Sequence, residues 1–322
     1  MTRSTTKILP ADAAAIAAAG ALIRAGKLAA FPTETVYGLG ADATDGLAVA
    51  AVYEAKGRPT FNPLIAHVGD LAAARAQGEF NSDALALAHA FWPGPLTLVV
   101  PARPDCAVCD LARAGLASVA LRVPAHDVAQ ALIRAAGRPL AAPSANRSGR
   151  ISATTAAHVF TGLEGRIDII LDGGAAAVGV ESTIVACLDG TPRLLRAGGL
   201  SRAEIEAVLG RALGVAQDGV VSAPGQLASH YAPRGALRLN ARALEEGEAG
   251  LDFGGVFSGA RGAKIIDLSP EKNLREAAAR LFAALHELNA LGVKRIAAAP
   301  VPHEGLGEAI NDRLQRAAAP RE

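Results

Sequence analysis

The sequence predicts an α/β protein with a large N-terminal domain built on a twisted, mixed sheet, followed by a smaller α/β domain. Three observations predict it. Short apolar runs of strand length alternate with helix-length amphipathic or alanine-rich segments. Several of the strand-like runs end in Pro or Gly turns instead of leading into a helix, which argues against a purely parallel, doubly wound sheet. A stretch without apolar period, 214–235, carries Pro224, Gly225, Pro233 and Gly235 and divides the 322 residues in two. The expected division is therefore 1–213, a connecting segment 214–235, and 236–322.

In chain order, 12–24 is alanine-rich and reads as a helix. A strand at 28–31 stops at Pro32, and 33–40 (TETVYGLG) reads as a polar and glycine turn. Asp45 precedes a helix at 47–56. The segment 56–63 (KGRPTFNP) holds two prolines, so it is neither regular helix nor central strand. A strand at 64–68 carries His67. Helices follow at 71–77 and 82–91, then a break at 92–95 (WPGP) and a strand at 96–100. The strand at 119–123 is apolar except for Arg122. A helix at 128–136 leads to a short run, 140–142, that stops at Pro143. Strands follow at 167–171, 183–188 and 193–196. Ser201 and Glu204 form a capping box for a helix to Leu213. Beyond the connection, strand signals fall at 237–239, 255–257, 264–268 and 296–299. The helix at 274–291 has a 3.6-residue apolar face of Leu274, Ala278, Leu281, Phe282, Leu285 and Leu288.

Composition excludes several classes. Hydrophobic residues are 51% of the chain but aromatics only 4%, so the core is aliphatic and base-stacking platforms are not expected. A net charge of +1 gives no general electrostatic attraction to nucleic acid or anionic membrane. The three cysteines (Cys106, Cys109, Cys187) do not make a disulfide scaffold, and the lone Cys106-x-x-Cys109 reads as ordinary loop cysteines. No run approaches a membrane span, and no signal pattern opens the chain, so a cytoplasmic protein is expected. Gly38-x-Gly40 lacks the third glycine of the dinucleotide fingerprint, and there is no Walker lysine or G-x-S-x-G elbow.

Chemistry concentrates elsewhere. In PLAAPSANRSGRISATT (139–155) a short buried strand opens into Ser144, Asn146, Arg147, Ser148, Gly149, Arg150 and Ser152. Hydroxyls and backbone N–H groups past a strand's carboxyl end suit an anion; the same residues are also common turn formers. Lys56 and Arg58 sit two apart on irregular backbone with Asn62 following, a point charge and a bidentate fork suited to a triphosphate, or a solvated basic turn. Arg122 within an apolar strand needs a carboxylate, from the protein or from a ligand. Arg196, ending 193–196, poses the same question.

Seven motifs in order resemble one family: FPTETVYGLG (31–40), KGRPTFNPL (56–64), WPGPLTLV (92–99), ALRVP (120–124), PSANRSGRIS (143–152), GVEST (179–183) and SHYAP (229–233). They are similar to the YrdC-like threonylcarbamoyl-AMP synthases, in their longer two-domain form. The resemblance implies a YrdC-like N-terminal domain and a C-terminal Rossmann-like α/β domain. It implies condensation of L-threonine, bicarbonate (or CO2) and ATP into threonylcarbamoyl-adenylate and pyrophosphate. The product would pass to a separate tRNA threonylcarbamoyl transferase, which modifies the adenosine next to the anticodon.

By resemblance, Thr35, His67, Arg122, Ala142 and Ser182 line a threonine pocket, with Arg122 on the carboxylate. Lys56, Arg58, Asn62, Ser118, Ser144, Asn146, Ser152 and Arg196 hold ATP, with Lys56 and Arg58 the catalytic cations. Tyr231 folds over the nucleotide as a lid. Mg²⁺ is expected to be bound through the ATP phosphates, without a protein metal site. Direct tRNA binding is expected to be weak or absent. Two rivals are a double-stranded RNA or tRNA-binding module without catalysis, which needs a broad basic face, and a carbamoyl-transfer domain of the hydrogenase-maturation kind, whose extra C-x-x-C modules are missing here.

Overall fold

The computed structural model describes residues 5–215, 230–260 and 262–320. Its larger part runs β1 (Lys7–Pro10), α1 (Ala13–Arg24), β2 (Ala29–Phe31), β3 (Gly38–Asp42), α2 (Gly46–Lys56), β4 (Ile65–His67), α3 (Leu71–Arg75), α4 (Ser82–Phe91), β5 (Leu96–Pro101), α5 (Asp110–Arg113), β6 (Ser118–Arg122), α6 (Asp127–Ala136), β7 (Leu140–Ala141), α7 (Ala156–Leu163), β8 (Ile169–Asp172), β9 (Thr183–Ala186), β10 (Arg193–Arg196), α8 (Arg202–Leu209) and β11 (Gly214–Val215). The smaller part adds β12 (Ala236–Arg238), β13 (Ala249–Asp252), β14 (Ile265–Asp267), α9 (Leu274–Ala290), β15 (Arg295–Ala298) and α10 (Gly307–Ala318).

The first eleven strands form one sheet in the order β1-β8-β2-β3-β7-β4-β6-β5-β9-β10-β11. Parallel pairs such as β4 with β6 alternate with antiparallel ones such as β5 with β6, so the mixed sheet is as predicted. Strands β12-β15-β13-β14 form a second, all-parallel sheet. Its core is built on the predicted apolar face, with Ala278, Leu281, Phe282, Leu285 and Leu288 all buried. That cluster also takes in Val36, Ile151, Val180 and Tyr231 from the first part and the connection. The two parts thus share apolar contacts.

Helix ends follow their caps. Asp12, Asn81 and Thr155 accept backbone N–H groups at the starts of α1, α4 and α7. The Ser201–Glu204 capping box is present, and α8 stops at Leu209, short of Leu213, because Gly210 turns left-handed (φ 66°).

Four expectations are corrected. The turn read at 33–40 ends earlier, since Gly38–Asp42 is a buried strand paired with both β2 and β7. Gly214–Val215, placed in the connection, adds to β10 in parallel. The helix read at 71–77 is Leu71–Arg75. The strand read at 255–257 is a turn, because the carboxylates of Asp252 and Asp267 collect the N–H groups of Gly254, Gly255 and Phe257; the strand lies at Ala249–Asp252 instead. Of the connecting segment, 216–229 lies outside the described residues.

Candidate active site

One crevice on the large sheet gathers polar residues from strands of both directions. Strands β2 and β7 run toward Thr33 and Ser144, and the antiparallel β3 starts beside them, Gly38 bridging Ser144. Strands β4 and β6 run the opposite way to β7 and end at His67 and Arg122. The register pairs His67 directly with Arg122 and with Leu140. Strand β9, parallel to β5 and antiparallel in sense to β6, starts at the Arg122 end, with Glu181 and Ser182 before it.

The crevice is lined by Thr35, Arg58, His67, Arg122, Ala142, Ser144, Ser182, Arg196 and Tyr231 among the residues assigned by resemblance, by Glu181, which the sequence offers as part of a candidate rim with Ser182 and Thr183, and by Thr33 and His230 in addition. Lys56 lies beside it: its Nζ donates to the carbonyls of Ser144 and Asn146. Burial, and Arg58 nearby, hold the Lys56 ammonium well below its ordinary pKa. Gly57, left-handed at φ 61°, ends α2 and turns Arg58 inward. Arg58 then donates to the carbonyls of Asn62 and Pro63 (3.3 and 3.1 Å), and burial pulls its pKa down to about 10. Arg196 donates to the carbonyl of Ser182 (2.8 Å) and to its hydroxyl (3.2 Å).

Arg122 meets a protein carboxylate, one of the two partners its strand position demanded. Its Nη2 is 2.7 Å from Oε1 of Glu34, off the hydrogen-bonding direction, while Nε donates to the carbonyl of Gly94 (3.2 Å). Burial, with Arg122 alongside, pushes His67 down to about 3, so its ring is neutral.

Several buried polar atoms have no hydrogen-bond partner among the described residues: both amide atoms of Asn62, Nδ1 of His67, Oδ1 of Asn146 and Nδ1 of His230. Each such orphan costs about 1–3 kcal/mol. Two of them, on His67 and His230, line the crevice, as a site built for a polar ligand requires.

The remaining predicted residues are placed as follows. Asn146 donates to the carbonyls of Arg147 and Arg150 (2.9 and 2.8 Å), closing its loop. Ser152 lies one layer out, its hydroxyl donating to Glu181 (2.5 Å). Ser118 begins β6 opposite Pro101, roughly 13 Å along the strand from Arg122 at about 3.3 Å per residue, and does not line the crevice. Tyr231 is 1% exposed and left-handed (φ 63°), a conformation that costs a non-glycine residue energy. It packs on Phe282 of the smaller part. With His230 and Tyr231 in place the open space is about 40 Å³, far below the several hundred that small-molecule sites offer.

The comparisons agree with this geometry. A family model described as telomere recombination (Sua5, YciO and YrdC) matches residues 21–198, and one described as the threonylcarbamoyl-AMP synthase C-terminal domain matches 200–319. The threonylcarbamoyl-AMP synthase of Bacillus subtilis is 42% identical over 95% of this chain and 93% of its own. This chain belongs to the threonylcarbamoyl-AMP synthase family. The Pyrococcus abyssi threonylcarbamoyl-AMP synthase is likewise 42% identical, over 94% of each chain. A crystal structure of P. abyssi Sua5 complexed with L-threonine superposes with a TM-score of 0.88, at 38% identity over 98% of each chain. The chain is therefore an enzyme of the nucleotidyltransferase type, a threonylcarbamoyl-AMP synthase in fold and in sequence over nearly its whole length.

Sequence reasoning left out Glu34, Thr33 and His230 as site members, and Arg313 altogether. Glu34 and Thr33 stand inside a quoted motif, so the signal was present. Arg313 lies in α10, for which the sequence suggested no element. Cys106 and Cys109 are free thiols; Cys109 precedes α5 and Cys106 faces Gln77, away from the crevice. No helix among the described residues is long and apolar enough to cross a membrane.

Proposed function

We propose that this chain condenses L-threonine, bicarbonate (or CO2) and ATP into threonylcarbamoyl-adenylate, releasing pyrophosphate, and that its crevice holds amino acid and nucleotide end to end. The observation that carries the reading is the convergence of four buried cations, Lys56, Arg58, Arg122 and Arg196, on one crevice. Glu34 stands against Arg122 and Glu181 within reach of Arg196 and Lys56, so four cations face two carboxylates, an excess of positive charge that suits an anionic ligand.

Arg122 would take the threonine carboxylate, with Thr35, His67, Ala142 and Ser182 around the side chain. A hydrogen bond to the threonine hydroxyl separates it from valine far better than shape does, and His67 has an unused ring nitrogen at hand. Lys56, Arg58, Asn62, Ser144, Asn146, Ser152 and Arg196 would hold the nucleotide, with Ser118 further along it. The threonine amine and bicarbonate form an N-carboxylate with loss of water (from CO2, with loss of a proton), and its oxygen attacks the α-phosphorus as pyrophosphate leaves. The nucleophile is already an anion, so holding it in line and offsetting charge on the leaving group are what the side chains supply.

Among the described residues no three His, Cys, Asp or Glu side chains come together as metal ligands. Mg²⁺ entering with ATP fits a crevice of this kind as a passenger on the triphosphate, with the Ser144 hydroxyl a hard oxygen donor beside it. When bound, it neutralises phosphate charge.

Since so little space is left with Tyr231 and His230 seated, they must lift for ATP to enter, which makes Tyr231 the lid. The division into a catalytic unit that takes in Gly214–Val215, a lid-bearing connection to 235 and a smaller unit (236–322) belongs to the same reading. So do a cytoplasmic location, delivery of the product to a separate tRNA threonylcarbamoyl transferase, and weak or absent tRNA binding at a net charge of +1. Pyrophosphate release measured with ATP and bicarbonate, with and without L-threonine, tests the reading. Release that depends on threonine is expected; release indifferent to threonine overturns it.

A further inference from the structure

Arg313, on α10 of the smaller part, is 0% exposed, yet it is among the largest side chains in the molecule. Its Nε donates to Oε2 of Glu181 (2.9 Å), Nη1 to Asp312 (2.6 Å), and its guanidinium stands 5.3 Å from the centre of the Tyr231 ring. Glu181 itself lines the crevice and is buried. Its other oxygen accepts the Ser152 hydroxyl. Glu181 also sits within electrostatic reach of Arg196 and Lys56, two of the cations assigned to phosphate.

The turn that carries Glu181 is locked against the smaller part. Gly179 is left-handed (φ 76°), and a Cβ there would lie 2.4 Å from the carbonyl oxygen of Ala278 in α9. Gly198 packs equally close behind, where a Cβ would come 2.3 Å from the Glu181 carbonyl. Glu181 therefore cannot move away as backbone; only its side chain has a choice of cation. A buried carboxylate without a partner takes the nearest one. Without Arg313, Arg196, which shares the crevice with Glu181 and donates to the adjacent Ser182, and Lys56 are the cations within its electrostatic reach.

We propose that Arg313 is a positioning residue of the reaction: by pairing with Glu181 it keeps that carboxylate from occupying Arg196 and Lys56, and so leaves them to the triphosphate. The smaller part thereby supplies one charge to the electrostatics of a site whose ligands all come from the larger part and the connection. The inference rests on the ATP assignment above.

The experiment measures binding of a non-hydrolysable ATP analogue and, separately, of L-threonine to full-length protein, with melting temperature alongside. Wild-type binding of the analogue tests the ATP assignment itself, so failure there is distinct from failure of the inference. Arg313→Gln is expected to weaken the analogue at least about tenfold while threonine affinity stays within about twofold. Adding E181Q, which removes the competing carboxylate, is expected to restore analogue affinity. A role confined to docking the two parts predicts no such rescue. R313Q with unaltered analogue affinity overturns the inference, as does an E181Q/R313Q protein that folds yet binds as weakly as R313Q. Should R313Q not fold, E181Q/R313Q, which removes the carboxylate and its guanidinium together, decides alone: wild-type-like affinity supports the inference and a tenfold loss overturns it.

Discussion

The guanidinium of Arg122 stands 2.7 Å from the carboxylate of Glu34, and both are largely shielded from water. The pair explains how a cation persists inside an apolar strand: the protein carries its own carboxylate for it. On the proposed assignment, a threonine carboxylate arriving at Arg122 would share the cation with Glu34.

Arg122→Ala is therefore expected to abolish useful threonine affinity while the ATP analogue still binds. Truncating one partner of a buried charge pair costs about 2–5 kcal/mol, thirtyfold or more in affinity. Because R122A strands Glu34, R122A/E34Q serves as the control and should show the same loss. Calorimetric titration with each ligand checks it; near-normal threonine affinity in both variants removes Arg122 from the pocket.

Removing the carboxylate instead has the opposite signature. E34Q leaves the Arg122 charge uncompensated until substrate arrives, so the free protein should melt earlier. Saturating L-threonine should then raise the melting temperature of E34Q by more than it raises that of wild type. An equal threonine shift in both would show that Glu34 and the substrate do not compete for the same guanidinium.

The proposed lid makes a third case. Tyr231 is packed on Phe282 and beneath Arg313, so Y231A should lose about 3–5 kcal/mol of stability, as large-to-small core substitutions do, along with turnover. Y231F keeps the ring and should retain the stability. If Y231A melts like wild type, the ring spends its time outside the core seen here.

How much of this was legible in the sequence depended on whether local chemistry or distant packing decided the outcome. Arg122 was legible because a guanidinium in a run of Val, Ala and Leu has few explanations. Lys56 and Arg58 were legible as a closely spaced basic pair where the chain enters a proline-broken segment. The helix at 274–290 announced itself by its apolar period. The strand Gly38–Asp42 was not legible, since Gly-Leu-Gly-Ala-Asp has weak strand preference and is held by β2 and β7 on either side. Arg313 was invisible for a different reason. The sequence suggested no element at 307–318, and Arg313 meets Glu181 through tertiary packing, with Gly179 seated close against α9.

The last prediction concerns acid. His158 and His286 stack across the boundary between the two parts, ring centres 3.8 Å apart and 11° from parallel, and His286 faces the carbonyl of Ser152 at 3.1 Å. Burial, then the neighbouring His158, push His286 down to about 4, and burial lowers His158 as well. The sign follows from proton counts: between about pH 6.5, where these rings protonate in the unfolded chain, and the lower folded values, the unfolded state binds more protons. Stability therefore falls as pH drops through this window, by up to about 1.4 kcal/mol per pH unit for each ring. Glu181, whose burial is outweighed by Arg313 and Arg196 to give a value of about 2, adds a second loss only below about pH 4.5. H286Q should thus flatten the stability profile between pH 6.5 and 4 and leave the steeper fall below 4.5 in place. Thermal melts across pH 3–7 for wild type and H286Q read the difference directly. Parallel profiles over pH 4–6.5 would mean that the stacked rings do not titrate with folding.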